Sequence, residues 1–156
     1  VEDVEHLPVC RAGKVLCTGV NYVAHREETG RTEVPYPTIF GRFTDTLTGH
    51  GAPIFRPQVS DKLDFEGELA VVIGRPAWRV PREKAAEVIA GYTCFNDASI
   101  RDWQRHTSQF LPGKNFPDTA PLGPALVTPD EVGPLDGLGI ETRLNGAVMQ
   151  IGRAHV

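Results

Sequence analysis

The sequence predicts an α+β domain in which short strands outnumber a few short helices. Three observations carry this. Gly (16) and Pro (13) are plentiful across 156 residues, which favours short elements joined by turns over long helices. Apolar runs such as "LAVVI" (69–73) are short, rich in β-branched residues and closed by glycine, the pattern of a strand buried on both faces. Asn145-Gly146 stands between "GIETRL" and "AVMQI", and that dipeptide is a strong short-range hairpin signal.

The elements follow in order. "KVLCTGVNY" (14–22) reads as a buried strand ending in a turn, and "AHREETG" (24–30) as a short helix or ordered loop stopped by Gly30. "YPTIFGRF" is extended and punctuated by proline. "TGHGAPIFRP" looks like a turn leading into a short strand, and "GELAVVIG" like a fully buried one. "PREKAAEVIAG" (81–91) predicts a helix, with Pro81 in its first turn, Gly91 at its end, and Ala85, Val88 and Ile89 as an apolar stripe. "YTCFND" is the next strand. "ASIRDWQRH" is a short helix with Ser99 as its cap. No internal repeat, coiled coil or low-complexity tract interrupts this order, which suits a single domain.

Composition narrows the function classes. The net charge is −4, which gives no electrostatic footprint for a nucleic-acid backbone. No apolar run reaches the roughly 18–20 residues of a membrane span. Three cysteines, Cys10, Cys17 and Cys94, without CxxC spacing, read as free thiols of a reducing cytoplasm.

The chemistry gathers around "DFEGELAVVIG" (64–74). Side chains alternate along a strand, so Asp64, Glu66 and Glu68 share a face at roughly 7 Å intervals. Such a row is either a solvated face or a cation site, because like charges repel more strongly as water is excluded. Gly67 permits close approach from the opposite face. Asp97 lies at a strand-to-helix junction, as a helix cap or as a third ligand. Glu66, Glu68 and Asp97 together offer only oxygen, which selects Mg²⁺ first, with Mn²⁺ or Ca²⁺ as alternatives, over Zn²⁺. Arg101, with Gln104 and Arg105 three and four residues on, is a carboxylate-binding fork or an exposed basic face. Lys114, after a Pro-Gly turn, is a surface lysine or a positioned cation. His25 and Glu28 are one helical turn apart, a spacing common by chance and also that of an oriented general base.

These stretches, "GVNYVAHREE", "DFEGELAVVIG", "GYTCFNDASIRDWQ", "GKNF…APLGPALVT" and "LNGAVMQ", occur in an order that resembles the fumarylacetoacetate hydrolase family. The likeness runs from about Lys14 to Gln150. It implies a β-rich mixed β-roll, usually dimeric, acting on small 2-oxo and diketo acids held by a divalent metal. By motif it makes Glu66, Glu68 and Asp97 the metal ligands, and Arg101 and Gln104 substrate contacts. Lys114 becomes the lysine that holds and polarises the substrate, and His25 with Glu28 the dyad that activates water. The implied reaction is hydrolysis of a C–C bond in acylpyruvate-like or fumarylpyruvate-like acids of aromatic catabolism. The same metal set also serves oxaloacetate-type decarboxylation, or isomerisation and hydration of unsaturated oxo-diacids. A reading of another class is a non-catalytic metal-binding module or inactive fragment.

Two departures carry expectations. Arg42 stands where many family members have lysine, and is expected to alter which carboxylate or acyl group is accepted. The family's C-terminal part, with its T-G-T-P-type loop, and the N-terminal segment of longer relatives are not in the sequence. Residues 1–150 are therefore expected to be a partial catalytic domain. Residues 151–156, "IGRAHV", read as one frame of a DNA-sequencing adapter and are expected to be a non-native tail.

Overall fold

A computed structural model describes residues 4–28, 30 and 35–153, with the backbone alone at Ala24, His25 and Glu28. The strand-rich α+β class holds. Strand β1 (Val15–Gly19) pairs antiparallel with β2 (Thr38–Arg42), helix α1 (Val23–Glu28) lying between them in the chain. A 3-10 turn at Thr44–Thr46 leads into β3 (Leu47–Thr48), which runs parallel to β8 (Ala120–Pro121). Strand β4 (Leu63–Asp64) pairs antiparallel with β7 (Ser99–Ile100), and β5 (Gly67–Ile73) with β6 (Ile89–Asn96). Two single-turn helices follow, α2 (Arg101–Gln104) and α3 (Leu111–Lys114), then α4 (Pro129–Val132). The chain closes with the hairpin of β9 (Gly139–Leu144) and β10 (Ala147–Arg153). Asn145 and Gly146 turn it with φ of 51° and 84°, the left-handed conformations that a tight primed turn needs. Ile151 to Arg153 continue β10 opposite Glu141 to Gly139.

The core is small. Phe95, Ala120 and Leu122 form its centre, and Val9, Cys10, Val15, Cys17, Leu47 and Ala70 pack around them. Single bridges from Tyr92 to Val127 and from Phe95 to Leu122 tie β6 to the segment after β8. The accessible surface is 11170 Å² for 17.0 kDa. A compact monomer of that mass exposes about 7,700 Å². The excess shows in apolar faces that stand open along a large cavity, described below.

That openness corrects two expectations. The strands over 14–22 and 67–74 are not buried on both faces. Leu16 is 71% exposed and Ile73 55%, because β1 and β5 each pack one face on the core and turn the other to the cavity. The helix expected over 81–91 is instead a 3-10 segment, Arg82–Val88, and Ile89 already belongs to β6. Strand pairing wins there: Ile89 opposes Ile73, and the Val88 carbonyl accepts from Gly74 N at 2.8 Å. The stripe meant to hold a helix had little apolar area, with Ala85 exposed. The short strand expected within "TGHGAPIFRP" is absent among the described residues. Pro53 and Pro57 deny that stretch ladder donors, and Phe55 stays 69% exposed. Ser99 is not a helix cap. It sits in β7, α2 starts after Ile100 without a side-chain cap, and the Ser99 hydroxyl lies 3.0 Å from Asp97 O. Among the described residues no helix is long and apolar enough to cross a membrane, and all three cysteines are free thiols.

Candidate active site

The acidic stretch is not one continuous strand. It breaks at Phe65 and Glu66, between β4 and β5, and the opposing chain breaks at Asp97 and Ala98, between β6 and β7. The two pairings share one register, with Gly67 opposite Asn96 and Asp64 opposite Ser99. Glu66 and Asp97 therefore face one another across matching gaps. The gap is closed by two bonds: Asp97 N donates to Glu66 O at 2.8 Å, and Glu66 N to the Asn96 side-chain oxygen at 3.0 Å. Functional side chains are thus carried on backbone that is pinned on both sides although it is outside the ladder.

Cations fill the space between these carboxylates. Lys114, at the end of α3, is fully buried and places Nζ 2.6 Å from Glu66 Oε2 and 2.5 Å from Asp97 Oδ2. Gly113 lets α3 approach this closely, since a Cβ there would strike the backbone of Gln104 in α2. Arg101 donates Nε to Asp64 Oδ2 at 2.8 Å and Nη1 to both Glu66 Oε1 and Gln104 Oε1. Asp64, left without a motif role by the sequence, is thus half of an ion pair at the cavity edge.

Arg42 does not line the cavity. Its guanidinium is buried and committed to Asp97 Oδ1 at 2.6 Å, Thr119 Oγ1 at 2.7 Å, the Ala98 carbonyl at 3.0 Å and Thr46 Oγ1 at 3.4 Å. Four of its five N–H donors are engaged within the protein. Arg42 holds Asp97 from behind, on the side opposite the site.

Glu68 sits differently. Its carboxyl is pushed up to about 7, first by burial and then by the negative charges of Glu66 and Asp97. Hydrogen bonding to the Tyr22 hydroxyl and the charge of Lys114 act the other way. Tyr22, just before α1, also accepts from Leu69 N at 3.1 Å, so it binds the start of the "NYVAHREE" segment to the acidic strand. The side chains of His25 and Glu28 lie outside the described residues; their backbone places both on α1.

Glu66, Glu68, Asp97, Arg101, Gln104 and Lys114 all line one open cavity of about 1460 Å³. The same cavity is lined by the apolar side chains of Leu16, Val71, Ile73, Met149 and Ile151. As the side chains stand, no group of three His, Cys, Asp or Glu among the described residues is arranged to hold a metal ion. The ammonium of Lys114 occupies the position between Glu66 and Asp97. The donor set nevertheless fits a hard divalent cation. It is all oxygen, it lines a single cavity, and the burial and negative charge that raise Glu68 are what a cation would offset.

Sequence reasoning missed the supporting residues. Tyr22, Asn96 and Gln150 each touch the acidic stretch through its backbone. Only their placement beside motif residues hinted at a role.

A family profile described as Fumarylacetoacetate (FAA) hydrolase C-terminal matches residues 14–155. The human protein named oxaloacetate tautomerase FAHD2A, mitochondrial, is 41% identical over 150 residues, covering 95% of this chain and 48% of that protein. The Bacillus subtilis protein named oxaloacetate tautomerase YisK is 39% identical over 153 residues, 96% of this chain and 51% of that one. The chain thus spans about half the length of these relatives. A crystal structure named 5-carboxymethyl-2-hydroxymuconate delta-isomerase, from Mycobacterium smegmatis, superimposes with a TM-score of 0.82 at 42% identity, over 98% of this chain and 60% of that one. With that profile matched over most of its length, and with relatives about 40% identical and a shared fold, the chain belongs to the fumarylacetoacetate hydrolase family.

Proposed function

We propose that this chain is the catalytic part of a divalent-metal-dependent enzyme that moves a proton within a small 2-oxo dicarboxylic acid, as a tautomerase or isomerase. The observation that carries the reading is the single cavity in which three carboxylates, Glu66, Glu68 and Asp97, meet the cations Arg101 and Lys114. Relatives about 40% identical bear oxaloacetate tautomerase names, and a solved relative bears an isomerase name.

A cation held by Glu66, Glu68 and Asp97, Mg²⁺ in the first place, would supply a Lewis acid at the oxo-acid end of the substrate. The chain's own groups supply the rest. Arg101 and Gln104 take a substrate carboxylate, Arg101 exchanging its bonds to Asp64 and Glu66 for it. Lys114, freed from between Glu66 and Asp97, stabilises negative charge on the oxo oxygen as the neighbouring C–H bond gives up its proton. By its place in the "NYVAHREE" motif, His25 would carry that proton. The C–H electron pair becomes the C=C bond of the enol, and the oxo oxygen gains a proton, so atoms and charge balance without another reactant.

A second reading is hydrolysis of a C–C bond in acylpyruvates, favoured by the "NYVAHREE" motif, in which the same His25–Glu28 pair would activate water. One comparison separates the two. Interconversion of enol and keto oxaloacetate is followed by ultraviolet absorbance, and acylpyruvate cleavage by product release, each with MgCl₂ and with EDTA. Mg²⁺-dependent tautomerisation that disappears in Glu66→Gln is expected. Acylpyruvate cleavage without tautomerisation would replace the proposal by the hydrolase reading.

A further inference from the structure

Among the described residues, strand β5 pairs with β6 along one edge only. At the start of its free edge lies Gly67, the residue between the two glutamates. There a side chain imitates a neighbouring strand. The Gln150 amide oxygen accepts from Gly67 N at 3.0 Å, and the Gln150 amide nitrogen donates to Gly67 O at 3.0 Å. Both polar groups of the Gly67 residue are thus held by one side chain from a hairpin 83 residues away.

Gln150 reaches this point because of a bulge. In β10 the register slips between Val148 and Gln150, so Thr142 of β9 faces Gln150 rather than Met149. A bulge turns the following side chain to the other face of the hairpin. Thr142 then donates its hydroxyl to the Gln150 amide oxygen at 3.0 Å, the end of the amide that the Gly67 N–H, which can only donate, requires to be oxygen. The same hydroxyl sits where a Cβ on residue 67 would be, so the close approach needs glycine at that position.

We propose that Gln150 is a positioning residue: by holding the peptide groups on both sides of Gly67 it fixes the spacing of the Glu66 and Glu68 carboxylates for a divalent cation. This rests on the reading that those glutamates bind the cation. Glu66 is held from its other side by Asn96 and Asp97, so the Gln150 clamp completes its support. Outer partners that orient metal ligands typically change affinity 10–100-fold when removed.

The test uses Mn²⁺ alone as the probe, read by the electron-spin-resonance signal of the free ion well below the melting temperature, so that only folded protein is compared. Gln150→Met keeps the side chain's length and removes both bonds to Gly67, and is expected to weaken Mn²⁺ binding at least tenfold. Thr142→Val leaves those bonds but removes the hydroxyl that braces the amide, and is expected to weaken it about threefold. Should Gln150→Met not fold, Thr142→Val carries the test. Glu66→Gln serves as the reference. If Glu66→Gln abolishes binding while the Gln150 and Thr142 variants bind as the unaltered protein does, Gln150 has no positioning role and the metal site stands. If Mn²⁺ binding is absent from the unaltered protein or indifferent to Glu66→Gln, the metal reading fails and takes this inference with it.

Discussion

Arg42 and Asp97, 55 residues apart in sequence, form a buried ion pair with 2.6 Å between Nη1 and Oδ1. Both side chains are almost wholly withdrawn from water. Asp97 accepts from Lys114 on its other oxygen, so its carboxylate is held between two cations. Such an arrangement sets where Asp97 can point, and it has a large cost when one partner is lost.

Arg42→Met should therefore destabilise the fold by about 3–5 kcal/mol, the range for breaking a buried pair from one side. Arg42→Lys should recover part of this. A lysine can meet Asp97 but cannot also serve Thr119 and the Ala98 carbonyl, and an unsatisfied buried group costs about 1–3 kcal/mol. Urea unfolding midpoints of the three proteins give the order directly. Equal midpoints for Arg42→Met and the unaltered protein would show that the pair contributes nothing net.

Gly67→Ala tests the packing of the hairpin on the acidic strand. The added Cβ collides with Thr142 Oγ1 and crowds Gln150 Oε1 at 3.3 Å. Overpacking of this kind costs about 1–3 kcal/mol. Thr142→Ala alone loses a hydrogen bond, yet in the double variant it removes the colliding hydroxyl. The two changes should be less damaging together than their sum, with a coupling of about 1 kcal/mol in a double-mutant cycle. Additive losses would place the strain of Gly67→Ala elsewhere.

The cysteines give a pH-dependent prediction. Burial, with the negative charge of Asp97 adding to it, pushes the Cys17 thiol up from 9.0 to about 12. The thiolate is the reactive form, so a three-unit rise lowers the reactive fraction at pH 8 by about 1000-fold. Cys94 is exposed on β6. Iodoacetamide at pH 8 should label Cys94 and leave Cys17 intact, with Cys17 labelling climbing about tenfold per pH unit below 12 as the thiolate fraction grows. The sign for stability follows from the same shift. An unfolded chain ionises this thiol near 9 and the fold holds it neutral to about 12, so the contribution is full below pH 9 and is lost as pH rises from 9 to 12. Peptide mapping of the alkylated protein checks the labelling, and melting curves between pH 8 and 11 check the slope.

What the sequence made legible was local. The Asn145-Gly146 turn, the slim position at Gly67 and the alternation of Glu66 with Glu68 each depend on residues within a few positions of one another. What it hid was set by pairing at a distance. The break at Phe65 and Glu66 exists because Asp97 and Ala98 break opposite it, which no period in either segment reveals. The 3-10 segment at Arg82–Val88 yields to β6, whose pairing with β5 decides where the strand begins. Arg42 stands out in sequence only as a departure from lysine, and only the positions of Thr119, Ala98 and Asp97 show that its guanidinium is turned to Asp97 and away from the cavity. The bulge that aims Gln150 has no sequence signature beyond the hairpin itself.

The buried ammonium of Lys114 yields the last prediction. Its Nζ lies between Glu66 Oε2 and Asp97 Oδ2, the oxygens a divalent cation would use. On the proposed reading, cation and ammonium would compete for the same oxygens. Lys114→Met removes the competitor and leaves two carboxylates facing each other, which should destabilise the metal-free protein by about 3–5 kcal/mol. The variant should then gain more from Mg²⁺ than the unaltered protein does. Stabilisation follows the logarithm of ligand concentration over Kd, about 2.7 kcal/mol at 100 times Kd, and each tenfold gain in affinity adds about 1.4 kcal/mol. Melting temperatures across a MgCl₂ series, with KCl at matched ionic strength as the screening control, should rise more steeply for Lys114→Met and narrow its deficit. Parallel curves would mean that Lys114 and the cation do not share a site, because only competition for common oxygens makes the benefit of Mg²⁺ depend on whether the ammonium is there.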